Sequence, residues 1–251
     1  MQMLKLGLVG EKLSHSLSPQ LHEEIMKQRG ISGTYELLEF SKETFNRDFN
    51  ALKDAGYRGV NITIPYKETV LPLLDDISQQ AKYIGAVNTV LFENGRAKGF
   101  NTDYNGFKAM LDNNNITVKG KGAVILGSGG AAKAAVKALL DLGIYDLTIV
   151  SRGKQNFHGN YTVSYEFFRE EKVKSDLLIN CTPIGMYPNL DESPIPKDCI
   201  NADTVIDLVY NPEKTLLLKY AEELGHKTIN GSMMLRAQAE KAQDIWNGTS
   251  I

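Results

Sequence analysis

Two cysteines in 251 residues, Cys181 and Cys199, are too few for a disulfide framework or a four-ligand zinc site. One disulfide between them stays open; two reduced, buried thiols are the simpler reading. Neither sign of charge is in excess: 28 Lys and Arg stand against 30 Asp and Glu, a net charge of −2. A protein that grips a phosphate backbone carries a basic surplus, so nucleic acid is not expected as a partner. No apolar run approaches the ~20 residues that span a bilayer. The opening Met1-Gln2-Met3-Leu4-Lys5 has no long apolar stretch of the kind a secretory signal needs. A cytoplasmic protein without a membrane partner is expected. Four histidines are present, and neither His15 nor His22 has an acid or cysteine at ligand spacing. No metal is expected, and both read as structural.

What is present is ordinary for a globular chain: 42% apolar and 23% charged residues, enough to bury a sizeable core. At ~150 residues per domain the length suggests one or two domains. Leu4 to Val9 reads as a strand ending at Gly10, and Ser18-Pro19 as the N-cap and first turn of a helix. A strand follows over Tyr35 to Phe40. Then comes a helix capped by Ser41, with Phe45, Phe49 and Leu52 on one face and Gly56 as its stop. Val60, Ile62 and Ile64 alternate with Asn61 and Thr63, a half-buried strand closed by Pro65. A helix through Val70 and Leu74 is expected next, and another from Ser78 to Gly85. Asn94-Gly95 between two apolar runs predicts a hairpin. In the second half, strands at 123–126, 147–150, 177–180, 205–208 and 227–230 alternate with helices, the last from Ser232 to about Trp246. That rhythm argues for parallel sheets in both halves, with a boundary near Asp103.

Gly127-Ser128-Gly129-Gly130-Ala131-Ala132 fits the pattern G-x-G-x-x-G/A between a strand and a helix. The first glycine makes the tight turn, the second lets backbone approach a pyrophosphate, and a small third residue lets helix and sheet pack closely. The helix N-terminus then offers N–H groups to the phosphates; the alternative is a plain tight turn. After the next strand stands Val150-Ser151-Arg152-Gly153-Lys154, with two cations and no acid. An acid there would claim a ribose 2′-hydroxyl, whereas an arginine suits a 2′-phosphate. NADP is therefore favoured over NAD, a solvated basic turn being the other reading. Lys67 and Asp103 each follow a strand end, which is where open α/β sheets bind ligands. Such a pair can move a proton, although most loop Lys and Asp are merely solvated. Ser14, Ser16 and Ser18 gather hydroxyls that suit a polyol, a carboxylate or helix capping.

Seven segments, in order, carry a resemblance. They are His15-Ser16-Leu17-Ser18-Pro19; Asn61-Ile62-Thr63-Ile64-Pro65-Tyr66-Lys67; Gly85-Ala86-Val87-Asn88-Thr89; Asn101-Thr102-Asp103; Gly127 to Ala131; Asn180-Cys181-Thr182-Pro183; and Gly231-Ser232-Met233-Met234-Leu235-Arg236-Ala237-Gln238-Ala239. Together they resemble the shikimate dehydrogenase family over nearly the whole chain. The resemblance implies two α/β domains with the active site in the cleft between them. Residues 1–103 would form the substrate-binding domain, completed by the C-terminal helix 232–251, and 104–231 a Rossmann-type NADP-binding domain. The implied activity is NADP-dependent reversible reduction of 3-dehydroshikimate to shikimate, with Lys67 and Asp103 as the catalytic pair.

Carried over by position, Ser16 and Ser18 would hold the substrate carboxylate. Asn61, Thr63, Asn88, Asp103 and Gln238 would hold ring hydroxyls, with Tyr210 nearby. Gly127, Ser128, Gly129, Gly130, Ala131, Ser151, Arg152, Lys154 and Thr182 would hold NADP, with Leu208 and Gly231 by the nicotinamide. The partners implied are small molecules, and the chain would act as a monomer or homodimer. Three departures stand out: Ser151-Arg152-Gly153 replaces the family's Asn-Arg-Thr, Met233 replaces a smaller residue, and the stretch before Leu177 looks too short for a full crossover helix. Two alternatives remain, a quinate/shikimate dehydrogenase using NAD and a non-catalytic NADP-sensing protein.

Overall fold

The computed structural model describes residues 3–14, 16–153 and 160–249. His15 and Lys154, both considered above, lie outside them. The chain divides into two compact units, residues 1–106 with 236–251, and residues 107–235.

In the first unit, β1 (Leu4–Gly10), α1 (Ser18–Gln28), β2 (Gly33–Glu39), α2 (Phe45–Asp54) and β3 (Gly59–Ile62) come first. They are followed by β4 (Asp76–Ile77), α3 (Gln79–Ile84), β5 (Thr89–Glu93), β6 (Arg96–Phe100) and the start of α4 (Asp103–Asn113). Among the described residues these strands form one six-stranded sheet in the order β2-β1-β3-β5-β6-β4. The sheet is not wholly parallel. β5 runs against both β3 and β6, because the β5–β6 turn is a two-residue hairpin. Asn94 and Gly95 sit at φ 51° and 72°, the left-handed pair such a turn needs.

Strand alternation sorts the core onto two faces. Val60 and Ile62 pack with Phe45, Phe49 and Leu52 of α2. On the other face Leu6, Leu8, Tyr35 and Leu91 pack with Met26 of α1 and with Ala242, Ile245 and Trp246 of the last helix. Gly59 makes room there: a Cβ on it would lie 2.1 Å from the Trp246 Nε1.

In the second unit β7 (Gly122–Leu126), α5 (Gly130–Asp141), β8 (Asp146–Val150), β9 (Tyr161–Val163) and α6 (Tyr165–Glu171) precede β10 (Ser175–Asn180). β11 (Ala202–Asp207), α7 (Leu216–Glu223), β12 (Lys227–Ile229) and the start of α8 (Ser232–Asn247) complete it. Among the described residues its strands form a second six-stranded sheet, parallel throughout, in the order β12-β11-β10-β7-β8-β9. Counted from β7 this is 3-2-1-4-5-6 across the sheet, the doubly wound dinucleotide order, with its reversal between β7 and β10. Phe168 of α6 and Leu217, Leu218 and Ala221 of α7 pack into this unit's core. α5 buries a row of small residues, Ala132, Ala134, Ala135 and Ala138, as close helix–sheet packing requires.

Several local expectations are corrected. Ser18 does not cap α1: the helix starts at Ser18, its cap position is Leu17, and the Ser16 hydroxyl accepts the Ser18 N–H at 3.2 Å. Ser41 opens a turn, with α2 beginning only at Phe45. The helix expected through Val70 and Leu74 is a single 3-10 turn over Leu71–Leu73, because Pro72 has no N–H to give. Ser78 does cap α3, accepting from the Ala81 N–H, and Gly85 ends it at φ 70°. α4, β4, β9 and α6 were not expected from the sequence. Both cysteines are free thiols, but Cys181 is half-buried rather than buried. Met234 is core, whereas Met233 is exposed.

Candidate active site

In the first unit the direction of β5 assembles the site. β1, β3 and β6 run one way, so their C-terminal ends share an edge; antiparallel β5 brings its N-terminal end to that same edge. Asn88, just before β5, thus falls between Lys67, after β3, and Asp103, after β6. The Lys67 ammonium donates to Asp103 Oδ2 at 2.6 Å. The Asn88 amide donates to the other carboxylate oxygen at 2.9 Å and to the Thr102 hydroxyl at 3.0 Å. The Thr102 N–H returns a bond to Asn88 Oδ1 at 2.7 Å, and the Thr102 hydroxyl lies 3.4 Å from Gln238 Oε1. Asp103 is buried and Lys67 largely so. Both oxygens of the carboxylate are therefore held by donors, and the ammonium keeps two further N–H groups.

Asn61 sits behind this group. Its amide donates to the Asn88 carbonyl at 3.1 Å and to the Thr89 hydroxyl at 3.0 Å, while its oxygen accepts from the Tyr35 hydroxyl at 2.8 Å. Thr63, Ser16 and Ser18 lie at the same edge without direct bonds to the pair. The Thr63 methyl packs beside Gly10, where β1 hands over to the Ser16–Ser18 segment. Thr89, Thr102 and Tyr35 were missed in the sequence. The first two adjoin Asn88 and Asp103 and could have been read with them; Tyr35 is far away in sequence and carries no local signal.

Tyr210 lies in the second unit, half-buried after β11. The same unit carries the residues expected to hold a dinucleotide. Gly127 follows β7 at φ 102°, a conformation L side chains avoid. A Cβ on it would meet the Thr182 methyl, after β10, at 2.9 Å, so the two loops flank the sheet's reversal point. Gly129 has open space where a side chain would be. It occupies the N-cap of α5 with no side-chain bond to the helix N–H groups. Ala132 is fully buried, filling the small-residue position. The Ser151 hydroxyl donates to the Ser128 hydroxyl at 2.9 Å, tying the turn after β8 to the glycine turn. Arg152 is exposed, and its charge reaches Tyr165, opposing the upward push that burial gives the Tyr165 hydroxyl. Gly231 sits directly on Leu208, as a Cβ there would lie 2.1 Å from the Leu208 oxygen. This arrangement fits a dinucleotide: backbone N–H groups, open space at Gly129 and a cation.

Beneath Leu208, Asp207 is fully buried. Its carboxylate accepts from the Asn180 amide at 2.9 Å, the Val209 N–H at 3.0 Å and the Thr215 hydroxyl at 2.7 Å. Burial pushes its pKa up to about 6 against the pull of those donors. Among the described residues no group of three or more His, Cys, Asp or Glu could hold a metal ion. Nor is any helix among them long and apolar enough to cross a membrane.

A doubly wound parallel sheet with a glycine turn at its reversal point defines a dinucleotide-binding protein, here joined to a second α/β unit carrying a Lys–Asp pair. Residues 8–90 match the shikimate dehydrogenase substrate binding domain. A curated NADP-dependent shikimate dehydrogenase of Clostridium beijerinckii is 45% identical over 244 residues, covering 96% of this chain and 90% of that protein. The crystal structure of shikimate dehydrogenase 1 from Peptoclostridium difficile superposes with a TM-score of 0.95 at 45% identity, covering 99% of this chain and 93% of that one. Shikimate 5-dehydrogenase from Thermus thermophilus, in complex with NADP(H) and shikimate, superposes with a TM-score of 0.88 at 36% identity over 98% of this chain and 94% of that one. This chain belongs to the shikimate dehydrogenase family.

Proposed function

We propose that this protein is an NADP-dependent oxidoreductase that interconverts 3-dehydroshikimate and shikimate in aromatic amino-acid biosynthesis. The first unit binds the substrate and the second binds NADP. The observation that carries the reading is the Lys67 ammonium on one oxygen of Asp103 with the Asn88 amide on the other, at the strand-end edge of the first unit. The identity to NADP-linked shikimate dehydrogenases over nearly the full chain supports it.

Bound NADPH supplies the hydride for the ketone carbon. Lys67 then has one task, to deliver a proton to the ketone oxygen as charge develops there. It can do so because only one of its three N–H groups is given to Asp103. Asp103 holds the ammonium in place and offers its remaining lone pairs to the substrate hydroxyl. In the oxidative direction the same pair takes the hydroxyl proton as hydride leaves the carbon. In this reading Ser16 and Ser18 hold the carboxylate, and Thr63 and Gln238 the ring hydroxyls. Gly127 to Ala131 and Thr182 hold the pyrophosphate and nicotinamide ends, Leu208 and Gly231 flank the nicotinamide, and Ser151 and Arg152 take the 2′-phosphate. A cytoplasmic monomer or homodimer is the setting this reading expects.

The test is NADPH formation by the purified protein on adding shikimate, run beside quinate and beside NAD. Shikimate with NADP as the best pair supports the reading. Preference for quinate with NAD would move the assignment within the family, and silence with both substrates despite tight NADPH binding would overturn it.

A further inference from the structure

A buried hydrogen-bond chain reaches the Lys67–Asp103 pair from inside the first unit. Tyr35, on β2, is 5% exposed and donates its hydroxyl proton to Asn61 Oδ1. Asn61 uses both amide protons on the Asn88 carbonyl and the Thr89 hydroxyl. Thr89 passes its own proton to Asn88 Oδ1 at 3.1 Å, and the Asn88 amide donates to Asp103 Oδ1. Every step points the same way, towards the carboxylate. The donors of Asn61 are spent within the protein, so its amide serves Asn88 before any substrate.

The far end of the chain is clamped. The Tyr35 ring stacks on His22 at 4.1 Å with planes 8° apart, and Trp246 lies across both. The Asn247 amide donates to Gln243 Oε1, which turns the Gln243 amide towards His22 Nδ1 at 3.0 Å. His22 Nδ1 therefore accepts, and its proton is on Nε2. That Nε2 is the one buried side-chain nitrogen or oxygen among the described residues without a hydrogen-bond partner. Asn61 lies near enough to His22 to oppose partly the downward push of burial on the imidazole, although no bond of normal geometry joins them. His22 Nε2–H is thus a competing donor for Asn61 Oδ1, and the Tyr35 hydroxyl is what holds that oxygen so that the Asn61 amide nitrogen faces Asn88 and Thr89.

We infer that Tyr35 is a positioning residue for the reaction: through Asn61 and Asn88 it fixes the carboxylate of Asp103 and hence the ammonium of Lys67. Without its hydroxyl, Asn61 turns towards His22, the Asn88 carbonyl loses the Asn61 donor, the Thr89 hydroxyl loses the bond that orients it towards Asn88, and Asp103 loses its fixed plane. The inference rests on Lys67 and Asp103 being the catalytic pair, and wild-type turnover with shikimate and NADP establishes that before any variant is read.

The experiment compares Tyr35→Phe with wild type, alone and in an Asn61→Ala background. It reads kcat, shikimate binding to the protein by equilibrium dialysis, and emission of Trp246, the single tryptophan, as the check on folding. Misplacement of catalytic groups costs one to two orders of magnitude. Tyr35→Phe is therefore expected to lower kcat about tenfold with shikimate affinity unchanged. In the Asn61→Ala background it should cost nothing further, because coupled residues are not additive. Wild-type kcat in an otherwise active enzyme overturns the inference alone. So does a shikimate affinity that falls in step with kcat, or an equal loss in both backgrounds.

Discussion

The two units solve different recognition problems with different parts of the chain. The first presents side chains: an ammonium, a carboxylate, amides and hydroxyls, knitted together at the edge where one antiparallel strand interrupts a parallel sheet. The second presents mostly backbone, at a glycine turn and at a glycine laid against Leu208, with one exposed arginine beside them. The difference follows from the ligands. A pyrophosphate asks for N–H groups and close approach, which any residue without a side chain provides. A ring that must gain or lose a proton at one oxygen asks for particular acids and bases in fixed positions.

This contrast implies opposite ways of breaking the two halves. The second unit should fail on gaining an atom. Gly231→Ala places a methyl 2.1 Å from a backbone oxygen that cannot move without shifting the Leu208–Tyr210 segment. A displacement of that size costs about 10²-fold in kcat/KM for NADP. Steady-state kinetics with thermal melts would show it, and near-normal kinetics would mean the Gly231–Leu208 approach does not shape the site.

Arg152→Ala should do less. Losing a charge-assisted bond costs ~1.5–3 kcal/mol, so the NADP KM should rise about tenfold or somewhat more while the NAD KM stays put. Equal losses for both cofactors would remove the 2′-phosphate role. The single arginine, without the hydroxyl the family places after it, should leave weaker discrimination than the full Asn-Arg-Thr segment gives.

The smallest effect sharpens the comparison through pH. His22, in the first unit, is held neutral by burial, its pKa brought down from 6.5 to about 3. The unfolded chain then binds more protons than the folded one across that window, so this group's contribution to stability grows from pH 3 to 6.5 and is lost as pH falls. Asp207, in the second unit, is raised from 3.8 to about 6 by the same cause. There the folded state binds more protons, so its contribution is lost as pH rises from 3.8 to 6. The two slopes oppose each other between pH 4 and 6. Asp207→Asn should therefore make the melting temperature climb more steeply with pH in that range than it does in wild type. An unchanged slope would mean that Asp207 does not titrate there.

The same contrast explains what could be read from the sequence. The dinucleotide unit is written in local signals: the run from Val124 to Ala132 is strand, turn and helix in nine residues, and each glycine has a geometric reason. The substrate edge is not local. Lys67, Asn88 and Asp103 are joined by β5 running backwards, and only the Asn94-Gly95 hairpin hints at that reversal. Without the resemblance to a family, a lysine after one strand and an aspartate after another looked like two solvated residues. Tyr35 and His22 were illegible for a further reason: their partners are on β3 and α8, and no spacing connects them. The cap of α1 went astray where hydroxyls cluster, since Ser16 and Ser18 are both good capping residues yet the backbone path puts Leu17 at the cap position. The short α6 and β9 lacked any strong period.

The whole mechanism depends on Lys67 handling the proton. The direct measurement is kcat for shikimate oxidation by NADP in Lys67→Ala against wild type, with shikimate and NADP affinities measured alongside. Loss of a positioned proton carrier costs ~10²–10⁴-fold in kcat, and both ligands should still bind within a few-fold of wild type. A kcat within about threefold of wild type, far short of that range, would contradict the assignment and return the Lys67–Asp103 contact to an ordinary buried ion pair.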